Sequence, residues 1–408
     1  MSLYDKASLI QIPSGYKGGK LYSVVPNDGV GDFTFSRGSA ATRINEQGLI
    51  ETMGSTEPRL NWDDSCPSLL LEPQRTNLST YSEDFSNSAW TKGSLTVSSN
   101  TTVAPDGTLT ADSVTPNATT NAIRLYQAHT TSATDYSLSF FVKSNGRQYI
   151  QLLFGGVLSA VYSNFDLVNG TVTAGTSGAG KIEDYNNGWY RISLKASLNA
   201  GSDQIYLWSI DSGSAARGST STGNGTDGYY VWGSQFEQGK YPTSYIKTIN
   251  LSVTRLVDRC NNAGSSSLFN DNEGVLFAEI LGLEGDDSVA QLGISNGSDN
   301  ENVKIIFLNL TTMLLEAKMT SHTNFAVAIT INRDNINKVA IQYKANDYKV
   351  FVNGTKQSVT QVSATPTGLD RLNFDRGDSN SVFYGKVKQL IVFNEALSDS
   401  ELQTLTTL

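Results

Sequence analysis

Along most of this chain, apolar residues alternate with polar ones in runs of roughly five to eight, and clusters of Gly, Asn, Asp and Ser end each run. A period of two is the signature of a strand with one face buried. Val339, Ile341 and Tyr343 alternate with polar or small neighbours, Ala345-Asn346-Asp347 turns the chain, and Tyr348, Val350 and Val352 resume with Phe351 on the other face. Asn353-Gly354 follows, the pair that best tolerates the two positive φ angles of a type I′ hairpin turn. Helical periodicity is nearly absent. One helix is expected at the end, where Ser398 and Glu401 read as a capping box with Leu397 and Leu402 as its staple.

At 408 residues the chain exceeds one compact core. The reading is all-β: two antiparallel β-sandwich (jelly-roll) domains after an irregular N-terminal region, with one short C-terminal helix. Composition shifts place an irregular attachment region at 1–75, a jelly-roll domain at 76–257, a linker at 258–272 and a second sandwich at 273–408. In the last strand Val387 is out of phase with Leu390 and Val392, so a bulge near Lys388-Gln389 is required for all three to face one core. Leu397, Leu402 and Leu405 are expected to cover the end of that core.

The net charge of −9 argues against nucleic-acid or anionic-membrane partners, which need a positive field. No apolar run approaches the roughly 18 residues of a membrane span, and the opening MSLYDKASLIQIPSG carries no basic stretch leading into an apolar one, so no leader is expected. Cys66 and Cys260 are too few for a disulfide framework and are expected as free thiols.

The most specific text is FTFSRGSAATRINEQGLIE, then EPRLNW, then SLLLEPQRTNLSTYSEDFSNSAWTK, spanning Phe33 to Trp90. It resembles a signature of tailed-bacteriophage and prophage virion proteins such as tail fibres, head fibres and spikes. In that family the text leads into a carbohydrate-binding-like jelly roll, matched here by Gly188-Trp189-Tyr190-Arg191-Ile192-Ser193, by the strand from Tyr230 to Glu237 and by Pro242-Thr243-Ser244-Tyr245-Ile246. Residues Tyr348–Gly354, Tyr384–Phe393 and the capped helix resemble a concanavalin A-like, laminin-G-type sandwich. The resemblance implies a virion component made in a bacterial host cytoplasm, a homo-oligomer of the trimeric kind, with other virion proteins and host or environmental glycans as partners. It also implies a non-enzymatic role, which joins the charge-based expectation of no nucleic acid bound and the expectation, from the missing apolar run, of no membrane insertion.

Glycan rings present apolar faces that stack on aromatic side chains. Tyr206 and Trp208 share one strand face by alternation, and with Tyr126, Tyr149, Tyr229 and Trp90 they are the candidate glycan platform. Trp189 and Trp232, inside strand motifs, are expected in the core. Loops dense in oxygen ligands make Asp286, Asp287 and Asp299 candidate calcium ligands, while no other cofactor is expected. The run Gly175 to Lys181 matches the spacing of a phosphate loop but is followed by Ile182, not Ser or Thr, and reads as a hairpin loop. Arg376-Gly377-Asp378 spells an adhesion tripeptide that reads better as part of a turn. Glu279 and Glu284, five apart, fall on opposite faces of a regular strand, and no carboxylate pair has glycosidase spacing.

Overall fold

A computed structural model describes residues 2–63, 65–378 and 380–408. Strand accounts for 47% of the chain and helix for 3%, which makes the protein all-β. It forms two compact units, each assembled from separate stretches. A terminal unit takes Met1–Ala40, Met53–Pro73 and Leu256–Leu408; a central unit takes Ala41–Thr52 and Gln74–Arg255. Among the described residues no helix is long and apolar enough to cross a membrane.

The central unit is a sandwich of two six-stranded antiparallel sheets. One sheet runs Thr91–Gly93, Arg124–Thr131, Gly201–Ser209, Tyr149–Phe154, Tyr162–Asp166, Thr171–Gly175. The other runs Leu95–Thr102, Ala111–Pro116, Gly228–Gln238, Thr134–Asn145, Trp189–Leu198, Gly180–Asp184. Inward residues of both, such as Ile150, Leu152, Ile205 and Leu207 against Leu138, Phe140, Ile192 and Leu194, make one core. The outward face of the second sheet is also covered: Phe141, Trp189 and Trp232 pack with Ile50 and Tyr245, so both tryptophans are buried as expected. The run from Gly175 to Gly180 carries the chain from one sheet to the other rather than closing a hairpin, and Lys181 pairs with Glu183 at 2.6 Å.

In the terminal unit an eight-stranded sheet and a five-stranded sheet enclose the largest core. The strand Gly385–Phe393 sits inside the larger sheet, and its pairing steps over Lys388: Glu279 faces Gln389 while Ile280 faces Val387. That bulge brings Val387, Leu390 and Val392 onto one core, as their spacing requires. The helix Asp399–Thr406 has the expected capping box, with Ser398 Oγ accepting from the Glu401 amide and Glu401 accepting from the Ser398 amide. Its leucines do not cover the end of that core. Leu397, Leu402 and Leu405 pack with Ile391, Phe393, Phe277 and Phe351 on the opposite face of the sheet, because alternation sends Ile391 and Phe393 the other way from Leu390 and Val392. Asn353 and Gly354 both have positive φ, 49° and 76°, at the turn where Val352 pairs with Thr355.

The ends of the expected domains differ from those read in the sequence. Residues 1–75 do not stand apart as an irregular region. Leu9–Gln11 and Ser68–Leu71 lie end to end along the strand Gly385–Phe393, with Leu9 opposite Val392 and Leu69 opposite Val387. The run Leu69-Leu70-Leu71, which has no sheet of its own nearby in sequence, is buried in this one. Residues 258–272 are not a linker either: Arg259–Asn261 pairs with Phe33–Ser36.

Four buried charges join these distant stretches. Arg37 donates to Asp258 at 3.0 Å, and Arg59 donates to both Asp258 and Glu72. The Glu72 amide also reaches Asp258 at 2.8 Å, and the Asp258 amide reaches the Glu72 carbonyl at 3.1 Å. Arg37, Arg59 and Glu72 all lie in the text from Phe33 to Trp90, so part of that text serves the fold.

Candidate functional site

The outward face of the first central sheet holds most of the expected aromatics. Pairing places Tyr126 opposite Tyr206 and Tyr206 opposite Leu153, and Arg124 opposite Trp208 and Trp208 opposite Gln151. The rings of Tyr126 and Tyr206 lie 5.2 Å apart, and those of Tyr206 and Trp208 5.6 Å apart. Tyr149 and Tyr162 flank them, half-buried like Tyr126 and Tyr206.

Residues 213–219 fold over one end of this face. Asn164 Nδ2 donates to the carbonyls of Gly213 and Ala215, Gln151 Nε2 to that of Ala216, and the Gly218 amide to Gln151 Oε1. The Trp208 indole donates to the Ser219 carbonyl at 2.8 Å. Trp208 is therefore 8% exposed and closed to a stacking ring. Trp90 and Tyr229 are not on the platform. They are 1% and 0% exposed, in the core between the sheets, where Trp90 packs on Phe85 and Phe140. Burial lifts the Tyr229 phenol to about 12.

Two residues of this face escaped the sequence reading. Arg124 lies over Trp208 at 5.0 Å and over Tyr126 at 5.6 Å. Arg217 donates to the carbonyls of Phe154 and Ser159. The signal for Arg124 was present: it stands two positions before Tyr126 and shares its face by the parity that grouped Tyr206 with Trp208. Arg217 had none, since a loop folding back onto a sheet leaves no periodic trace.

On the outward face of the other central sheet a cleft of about 340 Å³ is lined by Asn45, Glu51, Glu83, Asp106, Trp232 and Tyr245 among others. Its groups bind one another. The Tyr245 hydroxyl lies 2.7 Å from Ser82 Oγ and donates to Glu83 at 3.0 Å, Lys247 meets Glu83 at 2.6 Å, and Arg43 meets Glu51 at 2.8 Å.

The calcium expectation is corrected. Asp286 accepts from Arg333 at 3.0 Å, and Asp299 sits between Lys304 at 2.6 Å and Lys318 at 2.8 Å. Cations of the chain thus occupy two of the three carboxylates, and a divalent ion beside them would be repelled. Asp287 lies in the same turn as Asp286. Among the described residues no three His, Cys, Asp or Glu side chains are placed to hold a metal. Arg376 pairs with Asp378 inside the tripeptide itself, at 2.5 Å, and Ser379 of the turn expected there lies outside the described residues. Cys260 is buried, Cys66 is exposed, and they form no disulfide.

No protein-family model matches the chain. No curated protein matches it either. Among solved structures it is similar to the CBM40 module of the Ruminococcus gnavus IT-sialidase bound to α2,3-sialyllactose, at 17% identity over 36% of this chain and 93% of that one, with a TM-score of 0.30. It is similar to a NanB sialidase variant from Streptococcus pneumoniae at 14% identity over 36% of this chain and 28% of that one, with a TM-score of 0.31. Domains LG4-5 of the mouse laminin α1 chain match at 9% identity over 67% of this chain and 90% of that one, with a TM-score of 0.24. All three are distant likenesses.

Proposed function

We propose that this protein is a non-enzymatic surface component of a tailed-phage particle, a fibre, spike or capsid-decorating protein, that binds glycans through the half-open aromatic face of its central unit. The observation that carries the glycan part is the row of half-buried rings, Tyr126, Tyr206, Tyr149 and Tyr162, left on an outer sheet face whose counterpart across the sandwich is covered. Half-exposed tyrosines offer both a ring face and a hydroxyl to a sugar. The virion part rests on the phage-like text from Phe33 to Trp90. Weak single sites of this kind gain strength when many copies act together on one particle.

A second reading, an assembly protein without glycan binding, draws on a different feature. Ile249, Leu251 and Val253 are 64%, 70% and 39% exposed in an uncharged run, and such a patch suits a neighbouring virion protein or a second copy. A glycan array probed with the labelled full-length protein separates the two. Binding to a defined set of glycans, reduced about tenfold in Tyr206→Ala, supports the first; an array with no signal supports the second. Antibody labelling of phage particles tests the location in either case, and unlabelled particles would sink it.

A further inference from the structure

We propose that the half-open aromatic face recognises a carboxylate on an acidic glycan, gripped end-on by the guanidinium of Arg124. The inference rests on the glycan reading above and narrows it to one class of sugar.

Arg124 is half-buried on two rings, yet its guanidinium makes no hydrogen bond and no ion pair among the described residues. Its Nε is buried without a partner, which leaves the two terminal nitrogens as the edge it can offer. Room for the stem comes from Gly93 on the neighbouring strand, where an added Cβ would sit 3.0 Å from Arg124 Cγ. A planar cation laid on aromatic rings is held in one orientation, so it loses little further freedom when a carboxylate docks on its fork. The guanidinium also covers Trp208, so a neutral ring cannot stack there.

The surroundings reinforce the sign. Arg217 is held by backbone carbonyls and, among the described residues, pairs with no carboxylate. Tyr206 stands in the field of both guanidinium groups. The Asp203 carboxylate acts on Tyr206 as well, and it is held by the amides of Val157 at 3.0 Å and Gln204 at 2.9 Å. In a chain of net charge −9, two cations without carboxylate partners on one aromatic face are a local reversal. An anion is what such a face attracts.

Titration calorimetry of the full-length protein with three oligosaccharides of equal length, a galacturonate, a galactose and a sulfated galactose oligomer, tests the proposal. The galacturonate oligomer should bind, and binding should weaken as salt is raised. Arg124→Met, which keeps the stem on the rings, should weaken it about ten- to a hundredfold, and Arg124→Lys should not restore it. Equal affinity for galacturonate and galactose oligomers would overturn the acidic-sugar inference and leave the glycan reading standing. Preference for the sulfated oligomer, or full binding by Arg124→Lys, would overturn the carboxylate fork. If none of the three binds, this inference falls, and the array decides separately on glycans at large. The salt dependence is read on the unmodified protein and needs no variant to fold.

Discussion

Arg59 of the terminal unit and Arg124 of the central unit both lose much of their water, and the chain treats them in opposite ways. Arg59 is fully buried and meets Asp258 and Glu72, with Arg37 completing the set. Arg124 lies on Trp208 and Tyr126 and forms no ion pair among the described residues. A fully buried charge without a partner costs several kcal/mol, so the first arrangement is obligatory for folding. A half-buried cation on aromatic rings is tolerated unpaired and stays available. The contrast separates charges that hold the molecule together from charges it can use on something else.

The largest expected effect breaks the first kind. Asp258→Ala removes the carboxylate that Arg37 and Arg59 share in the interior and should destabilise the terminal unit by about 3–5 kcal/mol, read as a lower urea midpoint. Arg124→Met should stay within about 0.5 kcal/mol of the parent. Similar midpoints for both variants would mean that the buried cluster does not hold its unit.

Next comes the contrast between the two outer faces of the central unit. Trp232, 1% exposed beneath Tyr245, belongs to a second core. Trp232→Ala should cost about 3–4 kcal/mol by leaving a cavity, whereas Tyr206→Ala on the open face should cost about 1 kcal/mol or less. Calorimetric melting of the two variants checks this, and a reversed order would mean that the covered and open faces have been assigned the wrong way round.

The smallest effect concerns an uncharged member of the same sheet. His129 packs at a tilt against Phe236, ring centres 4.9 Å apart, its Nε2 is buried without a partner, and burial pulls its pKa from the ordinary 6.5 down to about 4. Between those values the unfolded chain takes up a proton that the folded one refuses. The stability His129 supports is therefore complete above pH 6.5, falls by about 1 kcal/mol per pH unit on the way to 4, and levels off below. Denaturation curves at pH 7, 5.5 and 4 should show that slope flattened in His129→Gln; an unchanged slope would place the titrating group elsewhere.

What could be read from the sequence was what neighbours in the chain decide. The parity of Tyr206 and Trp208, the caps of Ser398 and Glu401, the turn at Asn353-Gly354 and the bulge needed beside Val387 are all local, and the structure contains each of them. The membership of Leu69-Leu70-Leu71 in a sheet was not legible, because its partner strand lies at the far end of the chain and no alternation points across that distance. The same holds for Asp258, whose partners Arg37 and Arg59 are visible as motif letters but not as neighbours. Trp90 and Tyr229 misled for a related reason: ring type suggests a sugar platform, while which side of a sandwich a ring faces depends on the second sheet. His129 and Arg217 carried no pattern at all.

The pairing of Leu9–Gln11 and Ser68–Leu71 with Gly385–Phe393 has a bearing on the order of events during synthesis. Every stretch of the central unit has been made once Arg255 is in place, so that sandwich can close while the ribosome is still adding residues. The terminal unit has no such freedom. Its early strands must wait beside an unfinished sheet, their apolar faces uncovered, until one of the last segments arrives to receive them. A chain that stops short of that segment leaves Leu9 and Leu69 through Leu71 without a seat, and so advertises its own incompleteness to the proteases and chaperones of the cell that makes it.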